Sequence, residues 1–523
     1  MRALPKRIFA SVLASTMIGC GGGSSGGSGG GVDNAVSVTP TTPENLDTSC
    51  DEATFPSLAL TNCEVGNYAR TLEATTEQLD VAFGVRVAEQ MVTNLANFTQ
   101  RALDDPSWLS PLSGNTPVTP VCASWDLHCV GDPFRYPEAD GPDGAGFYEN
   151  EAHVQPVVFY DRDCARLSGR VWMPRNADEG RLPAVVITPG SFQATETAYW
   201  WLAQRLVRGG YMVMTFDARG QGMSDFQTPS FQQGSNLNGK VFWEGQVDAI
   251  DFILSSPEQP YIHDQNCADS YPTISNNHNP FYENLDPNRL GIAGHSLGAI
   301  GVSVVQGYGG EGAAPWPGTQ TTENPVKVAV ALDSLVTPDV EGFAPASNLG
   351  LSNELTQIVI DAGIQAEAPA FNANVPALSF AADYAVAPIT YLTPPDPQGH
   401  KQVFDVWTAA DQAIYVISFQ GTTHFDFSLF LAAPATSWCA DTSTGACRGS
   451  WGREAIEYYS LAWFDRWLKQ AGEAGYDDAD ARLVDDAGEH GATKMSFYFE
   501  SARNFVDRGG KRQRCDNIRA GCL

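Results

Sequence analysis

Residues 290–298 read Leu-Gly-Ile-Ala-Gly-His-Ser-Leu-Gly, and this stretch decides the fold. The apolar run 290–293 predicts a buried strand, and the apolar residues over 299–306 predict a helix. The pattern Gly-x-Ser-x-Gly surrounds Ser296 between them. A sharp strand-to-helix turn exposes a serine hydroxyl, and its glycines prevent steric clashes. Ser296 is therefore the predicted nucleophile, and a purely structural turn is the alternative.

Short apolar strands alternate with helical segments on both sides of this turn. Residues 157–161 and 167–173 have the alternation of a hairpin. The pattern predicts helices over 201–208, 243–255 and 453–469, and buried strands over 184–188, 211–216, 326–332, 377–381 and 414–419. We expect an α/β fold, with a mostly parallel sheet covered by helices on both faces.

Motifs before the serine turn carry a family resemblance. Pro189-Gly190-Ser191-Phe192 follows the strand over 184–188, and Trp200-Trp201 and the segment 217–222 come later. This arrangement resembles the α/β-hydrolase fold of bacterial cutinases and polyester hydrolases, and is similar in order to the platelet-activating-factor acetylhydrolases. The resemblance covers about residues 155–470. It implies a serine esterase that cleaves carboxylic esters through an acyl-enzyme intermediate.

The remaining site residues follow from this resemblance and from chain order. The family implies an oxyanion hole formed by the backbone N–H groups of Ser191 and Leu297. Ser191 replaces the aromatic residue of the polyester hydrolases, which leaves the backbone donor in place. The order Ser, Asp, His requires a late histidine, and His424 follows the strand over 414–419. His424 is the predicted general base.

The acid of the triad has two candidates. Asp333 ends the strand over 326–332, and Ala331-Leu332-Asp333 resembles the platelet-activating-factor acetylhydrolases. Asp383 ends the strand over 377–381, and the Val-Ala-Pro sequence at 386–388 resembles the cutinases. Asp333 is preferred. The other aspartate is expected to cap a loop, as aspartates after strands usually do.

The amino terminus has the features of an export signal. Basic residues precede the apolar stretch 8–18, which is too short to span a bilayer. Met17-Ile18-Gly19-Cys20 resembles a bacterial lipobox, in which Cys20 would be lipidated. An ordinary secreted protein with an unpaired cysteine is the alternative. We expect a signal peptide over 1–20, a Gly/Ser-rich and polar linker over 21–49, an accessory helical and loop-rich region over 50–150, and the hydrolase domain with its tail over 151–523.

The cysteines predict disulfides. Of the 11 cysteines, all but Cys20 follow the signal, and an even number in an exported chain is typical of disulfide bonding. Proximity in sequence favours the pairs 50–63, 122–129, 439–447 and 515–522, which leaves 164–267 as a long-range bond. The predicted location is exported, with a lipid anchor in a bacterial membrane, most simply the outer membrane, or secreted.

Composition limits the partners. The chain has 31 Lys and Arg against 61 Asp and Glu, a net charge of −30 at pH 7, which is the wrong sign for nucleic acid. No cofactor or metal is implied, and the acidic run over 477–486 is expected to be a solvated patch. The predicted partner is a small or polymeric ester, with membrane contact only through the lipid anchor. A peptidase or amidase on the same triad, or an inactive surface-anchored binding protein, is the alternative.

Overall fold

The computed structural model describes residues 48–73, 99–109, 147–177, 182–191, 194–232, 239–271, 273–333, 335–338, 368–384, 393–428 and 451–522, together with a few single positions. The chain divides into two units, residues 1–32 and 33–523, and every described residue lies in the second unit. The predicted signal peptide, Cys20 and the glycine-serine stretch lie outside the described residues.

A mixed sheet forms the centre of the described unit. Its ten strands have the order β1-β2-β4-β3-β5-β6-β7-β8-β9-β10. They are β1 (Ala152–Tyr160), β2 (Arg166–Pro174), β3 (Leu182–Thr188), β4 (Met212–Phe216), β5 (Leu285–His295), β6 (Val326–Leu332), β7 (Ala377–Ala382), β8 (Ile414–Phe419), β9 (Ala502–Val506) and β10 (Arg512–Cys515). The strands from β4 to β8 are parallel, and antiparallel pairs extend both edges.

Helices cover both faces of this sheet. They are α1 (Leu58–Glu73), α2 (Phe147–Asn150), α3 (Trp200–Arg208), α4 (Lys240–Leu254), α5 (Ile262–Cys267), α6 (Leu297–Val305), α7 (Gln402–Ala409), α8 (Trp451–Leu468) and α9 (Ala479–Leu483). Along β3, Val185 and Ile187 pack in one core cluster with α3 and α8. Ala184 and Val186 pack in the other cluster with α4, α6 and α7. The two-sided burial of a parallel sheet confirms the α/β class.

Both ends of the described unit contain regular structure that the local sequence pattern does not locate. Within the accessory region expected over 50–150, α1 begins at Leu58. The Ser57 hydroxyl accepts a hydrogen bond from the Leu60 N–H at 3.1 Å, which caps the first turn. Beyond residue 470 the resemblance ends, yet β9 and β10 continue the sheet beside β8. These strands are short and rich in polar residues, so hydrophobic alternation does not reveal them.

The acidic run near the C-terminus is solvated only in part, because Asp477, Asp478 and Asp485 are exposed whereas two other aspartates of the run are not. Asp480 and Asp486 are buried, and each forms an ion pair with an arginine. Arg466 Nε lies 2.7 Å from Asp480 Oδ1, and the Arg503 guanidinium contacts both oxygens of Asp486. Buried charges are stable only when they are paired in this way. The run therefore joins the tail to the core.

The predicted disulfides are partly confirmed. Bonds join Cys50 to Cys63, Cys164 to Cys267 and Cys515 to Cys522, while the predicted pairs 122–129 and 439–447 lie outside the described residues. Disulfides persist in oxidising compartments, so these bonds indicate an exported protein. In the part of the chain that the structure describes, no helix has the length and apolar character needed to cross a bilayer.

The N-terminal extension is attached to the sheet domain by buried polar contacts. On α1, Asn67 Nδ2 donates to Asp383 Oδ2 at 2.7 Å, and Glu64 accepts from the Tyr384 hydroxyl at 2.7 Å. Before the helix, Arg519 Nε donates to Asp51 Oδ1 at 2.8 Å. The first described helix is thus fixed to both the centre and the C-terminal tail of the domain.

Candidate active site

The nucleophile turn has the geometry that its sequence predicts. Ser296 has φ 56° and ψ −122°, directly between β5 and α6. A Cβ at Gly294 would lie 2.3 Å from the Gly298 carbonyl oxygen, and a Cβ at Gly298 would lie 2.4 Å from the Thr188 carbonyl oxygen. Both glycines are therefore required by close backbone approach. The surrounding structure holds Ser296 in a sparsely populated conformation, as is common at functional sites.

The two predicted oxyanion donors belong to segments that adjoin this serine. Leu297 is the first residue of α6, so its N–H has no acceptor within the helix. Ser191 follows Gly190, where an added Cβ would lie 3.1 Å from the Ser296 Cβ. The loop after β3 therefore passes close to Ser296, and a larger residue than glycine at 190 would crowd it. The positive end of the α6 dipole adds a preference for negative charge at this position.

His424 and Asp333 form a direct pair. Asp333 follows β6 at φ 67°, and His424 begins a short 3₁₀ helix, His424–Phe427. The His424 Nδ1 is hydrogen-bonded to Asp333 Oδ2, and Asp333 Oδ1 accepts from the Ala382 N–H at 3.0 Å. Since β6 is the neighbour of β5, Asp333 leaves the sheet beside the serine turn.

The electrostatics of this pair favour an ionised carboxylate. Burial tends to raise the pKa of Asp333, but the hydrogen bond with His424 and the charge of that ring lower it, and the pKa lies below its usual value. A carboxylate that accepts from Nδ1 fixes the histidine tautomer and leaves Nε2 free to take a proton. Asp333 and His424 thus have the arrangement of an acid and a base in a catalytic triad.

The alternative acid, Asp383, has other partners. It is completely buried after β7 and accepts from Asn67 Nδ2 at 2.7 Å, from the Gly421 N–H at 3.0 Å and from the Ser496 hydroxyl. Burial raises its pKa despite these donors. The structure therefore brings Asp333, and not Asp383, into contact with His424. Asp383 instead joins α1, the loop before His424 and the C-terminal tail.

A second histidine, directly before Ser296 in the chain, contacts His424. The ring of His295 has its centroid 4.5 Å from that of His424, and His295 Nε2 lies 2.9 Å from the His424 carbonyl oxygen. On the other side, the Tyr199 hydroxyl lies 2.7 Å from His295 Nδ1 and 3.0 Å from the Gly190 nitrogen. The sequence gives no sign of Tyr199, because its partner is 96 positions away.

The other late histidines have separate environments. His400 Nδ1 lies 2.8 Å from the Ser418 hydroxyl, and its ring stacks on Phe499. His490 packs against Tyr458. Within the described residues, no group of three or more His, Cys, Asp or Glu side chains has an arrangement that could hold a metal ion. His424 is thus the late histidine that pairs with Asp333, and its ring lies against that of His295, the residue before Ser296.

Comparisons with known proteins do not identify a family. A scan against models of protein families finds no match, and a search of curated proteins finds no similar sequence. The fold belongs to the α/β class. The site combines a serine at a strand-to-helix turn with a hydrogen-bonded histidine and aspartate. Any assignment of activity therefore depends on the geometry of these residues.

Proposed function

We propose that this protein is a serine hydrolase of the α/β-hydrolase fold that cleaves carboxylic esters through an acyl-enzyme intermediate. The observation that carries the proposal is the Asp333–His424 pair beside the strained turn at Ser296. Two features support it. The residues follow the chain order Ser, Asp, His, and the nucleophile leaves a central strand at a helix N-terminus, as in α/β-hydrolases. The acid after β6 favours the arrangement of the platelet-activating-factor acetylhydrolases.

The proposed reaction follows from the hydrogen bond of His424 Nδ1 with Asp333, which leaves Nε2 free to accept a proton. His424 Nε2 takes the proton of Ser296 while Oγ attacks the ester carbonyl, and Asp333 stabilises the imidazolium. The N–H groups of Leu297 and Ser191 bind the oxyanion of the tetrahedral intermediate. The alcohol leaves with the proton from Nε2, which forms the acyl-enzyme. Water then gives a proton to Nε2, attacks the acyl carbon and releases the acid as Ser296 recovers its proton.

The energetic contributions differ in size. Each preorganised oxyanion donor contributes about 3 kcal/mol of transition-state stabilisation. The orienting aspartate contributes a factor of about 10⁴ in turnover, because it selects the reactive tautomer and stabilises the cation. An amide or peptide substrate would use the same groups and differ in its leaving group. Amidase or peptidase activity is therefore the second candidate, and an inactive surface-anchored binding protein is the third.

The location belongs to the same proposal. We propose that the signal is removed at Cys20, that this cysteine carries lipid, and that the linker holds the enzyme at a bacterial membrane. Three disulfides in the described residues support export. Small or polymeric esters are the proposed substrates. Mass spectrometry of the mature N-terminus tests the anchor, and an unmodified Cys20 would contradict it.

The activity test uses the mature protein, p-nitrophenyl esters of graded chain length, a peptide series and a polyester film. Ester turnover and fluorophosphonate labelling of Ser296 are expected. The Ser296→Ala variant should lose turnover and labelling with a nearly unchanged melting temperature. Ser256→Ala is the matched control, because the Ser256 hydroxyl only accepts from Gln259 in an outer turn. Peptide cleavage without ester cleavage would favour the second candidate, and labelling of another serine would refute the site.

A further inference from the structure

The Gly190 N–H, the Tyr199 hydroxyl, the His295 ring and the His424 carbonyl form a chain of hydrogen bonds. The donors and acceptors at its two ends determine the direction of each bond. The Gly190 N–H can only donate, so the Tyr199 oxygen accepts this bond at 3.0 Å. The Tyr199 proton is then directed to His295 Nδ1 at 2.7 Å. At the other end, the His424 carbonyl can only accept, so His295 Nε2 carries the proton of the 2.9 Å bond. His295 is therefore a neutral ring protonated at Nε2.

The surroundings of this chain support a neutral ring. His295 is 3% exposed and Tyr199 is completely buried. Burial, followed by the charge of the neighbouring His424, lowers the pKa of His295 to about 3. Burial also raises the pKa of Tyr199, so its hydroxyl keeps the proton that it donates. Every polar atom of both side chains thus has a partner with the correct polarity.

We infer that Tyr199 and His295 are positioning residues. They hold the loop after β3 (residues 189–191) and the loop that carries His424 (residues 420–424) at a fixed separation around Ser296. This inference rests on the proposed function. One end of the bridge is the Gly190 N–H, directly before the donor Ser191, and the other end is the backbone of His424 itself. His295 also precedes Ser296 in the chain. A shift in this bridge moves all three parts of the machinery together.

The neutral ring has a second consequence for the reaction. When His424 becomes an imidazolium, the nearest ring is His295, with centroids 4.5 Å apart. A positive charge on His295 would oppose that step, since like charges at this distance repel strongly in a buried site. The Tyr199 hydroxyl occupies Nδ1 as a donor and so blocks protonation there. The bridge therefore holds the geometry without adding a competing charge.

Nitrogen-15 NMR of the histidine rings tests the bridge without any substrate. In the wild-type spectrum the ring signals that disappear in the His295→Gln variant should belong to a ring protonated at Nε2 that does not titrate between pH 5 and 8. A His295 protonated at Nδ1, or one that titrates near pH 6.5, would overturn the inference. Because this measurement does not require turnover, it still decides the question if the protein proves to have no esterase activity.

Kinetics test whether the bridge positions the machinery. Tyr199→Phe removes only the hydroxyl, and we expect kcat for a p-nitrophenyl ester to fall about 10-fold to 100-fold with KM within threefold, the scale of a misplaced catalytic group. His295→Gln keeps a side-chain N–H donor and should retain more activity than His295→Leu. In the His295→Leu background, Tyr199→Phe should have less than a twofold further effect, because the bridge is already broken.

Tyr261→Phe is the matched control for loss of a buried hydroxyl. The Tyr261 hydroxyl donates to the Tyr160 carbonyl at 2.7 Å and belongs to another part of the core. This variant should melt at a lower temperature with an unchanged kcat. A Tyr199→Phe enzyme with kcat within twofold of wild type, or fully additive effects in the double variant, would overturn the inference. Absence of turnover and of fluorophosphonate labelling in the wild type would instead refute the proposed function.

Discussion

Substitution of Asp333 by asparagine changes one atom in the pair with His424. The amide oxygen can still accept from the Ala382 N–H, as Asp333 Oδ1 does at 3.0 Å. The amide nitrogen then faces His424 Nδ1 and can only donate, so Nδ1 must become the acceptor. The ring proton moves to Nε2, where it blocks uptake of the serine proton. We expect turnover to fall about 10⁴-fold, or about 5.5 kcal/mol in the activation free energy.

Asp383→Asn is the matched control for Asp333→Asn, because it makes the same carboxylate-to-amide change at the other candidate acid. The Asp383 carboxylate accepts from three donors, Asn67, Gly421 and Ser496. An amide group replaces one acceptor by a donor and sets two donors against each other in a buried site. This costs about 1–3 kcal/mol of the free energy of unfolding. Turnover should stay within tenfold of wild type, because Asp383 contacts the loop before His424 through the Gly421 N–H and does not contact His424 itself.

Both variants are assayed at one pH with a saturating short-chain ester, and their melting temperatures are measured together. The expected result is an inactive Asp333→Asn enzyme with near-normal melting and an active Asp383→Asn enzyme that melts earlier. If Asp383→Asn loses turnover and Asp333→Asn stays within tenfold of wild type, the assignment of the acid is wrong. The cutinase arrangement would then replace it.

Further expectations concern the turn, the disulfides and pH. Gly298→Ala should abolish turnover and lower the melting temperature, because its Cβ would lie 2.4 Å from the Thr188 oxygen; a fully active variant would contradict this reading. Loss of the bond between Cys164 and Cys267, with a sequence separation of 103, should cost about 4.7 kcal/mol, and loss of the bond between Cys515 and Cys522, with a separation of 7, about 2.5 kcal/mol. Urea denaturation of variants in which both cysteines of one bond are replaced by serine measures the two costs. Equal losses would refute the dependence on loop length. Since the pKa of His295 falls to about 3 in the folded protein, the unfolded chain takes up a proton below about pH 6.5 that the folded protein does not. The wild type should therefore lose about 2 kcal/mol more stability than His295→Leu between pH 7 and 5, and parallel pH profiles would show that His295 is charged when folded.

The sequence predicts the parallel core well because its signals are local. Strands β3, β4, β6, β7 and β8 are continuous apolar runs, and each lies within two residues of its prediction. The edge strands β9 and β10 depend on pairing with β8 and on ion pairs such as Arg503 with Asp486. These partners are distant in sequence, so no local pattern identifies them.

The same distinction applies to the site. The glycines around Ser296 specify its turn directly, whereas Asp333 and Asp383 both end neighbouring parallel strands at one edge of the sheet. Local sequence does not choose between them. The choice depends on which carboxylate has other donors, and Asn67 and Ser496, which occupy Asp383, come from opposite ends of the chain. The role of Tyr199 is equally a matter of tertiary contact.

The ion pair between Asp51 and Arg519 joins positions 468 residues apart. The ribosome makes the N-terminal extension first, whereas its buried partner Asp383 lies in the last third of the chain and Arg519 lies almost at its end. Glu64 and Asn67 can form their contacts only after residue 384 has been made, and Asp51 only after residue 519. Loop-closure entropy makes such long-range contacts slow to form. The extension can therefore dock fully only after the sheet domain that receives it has been synthesised.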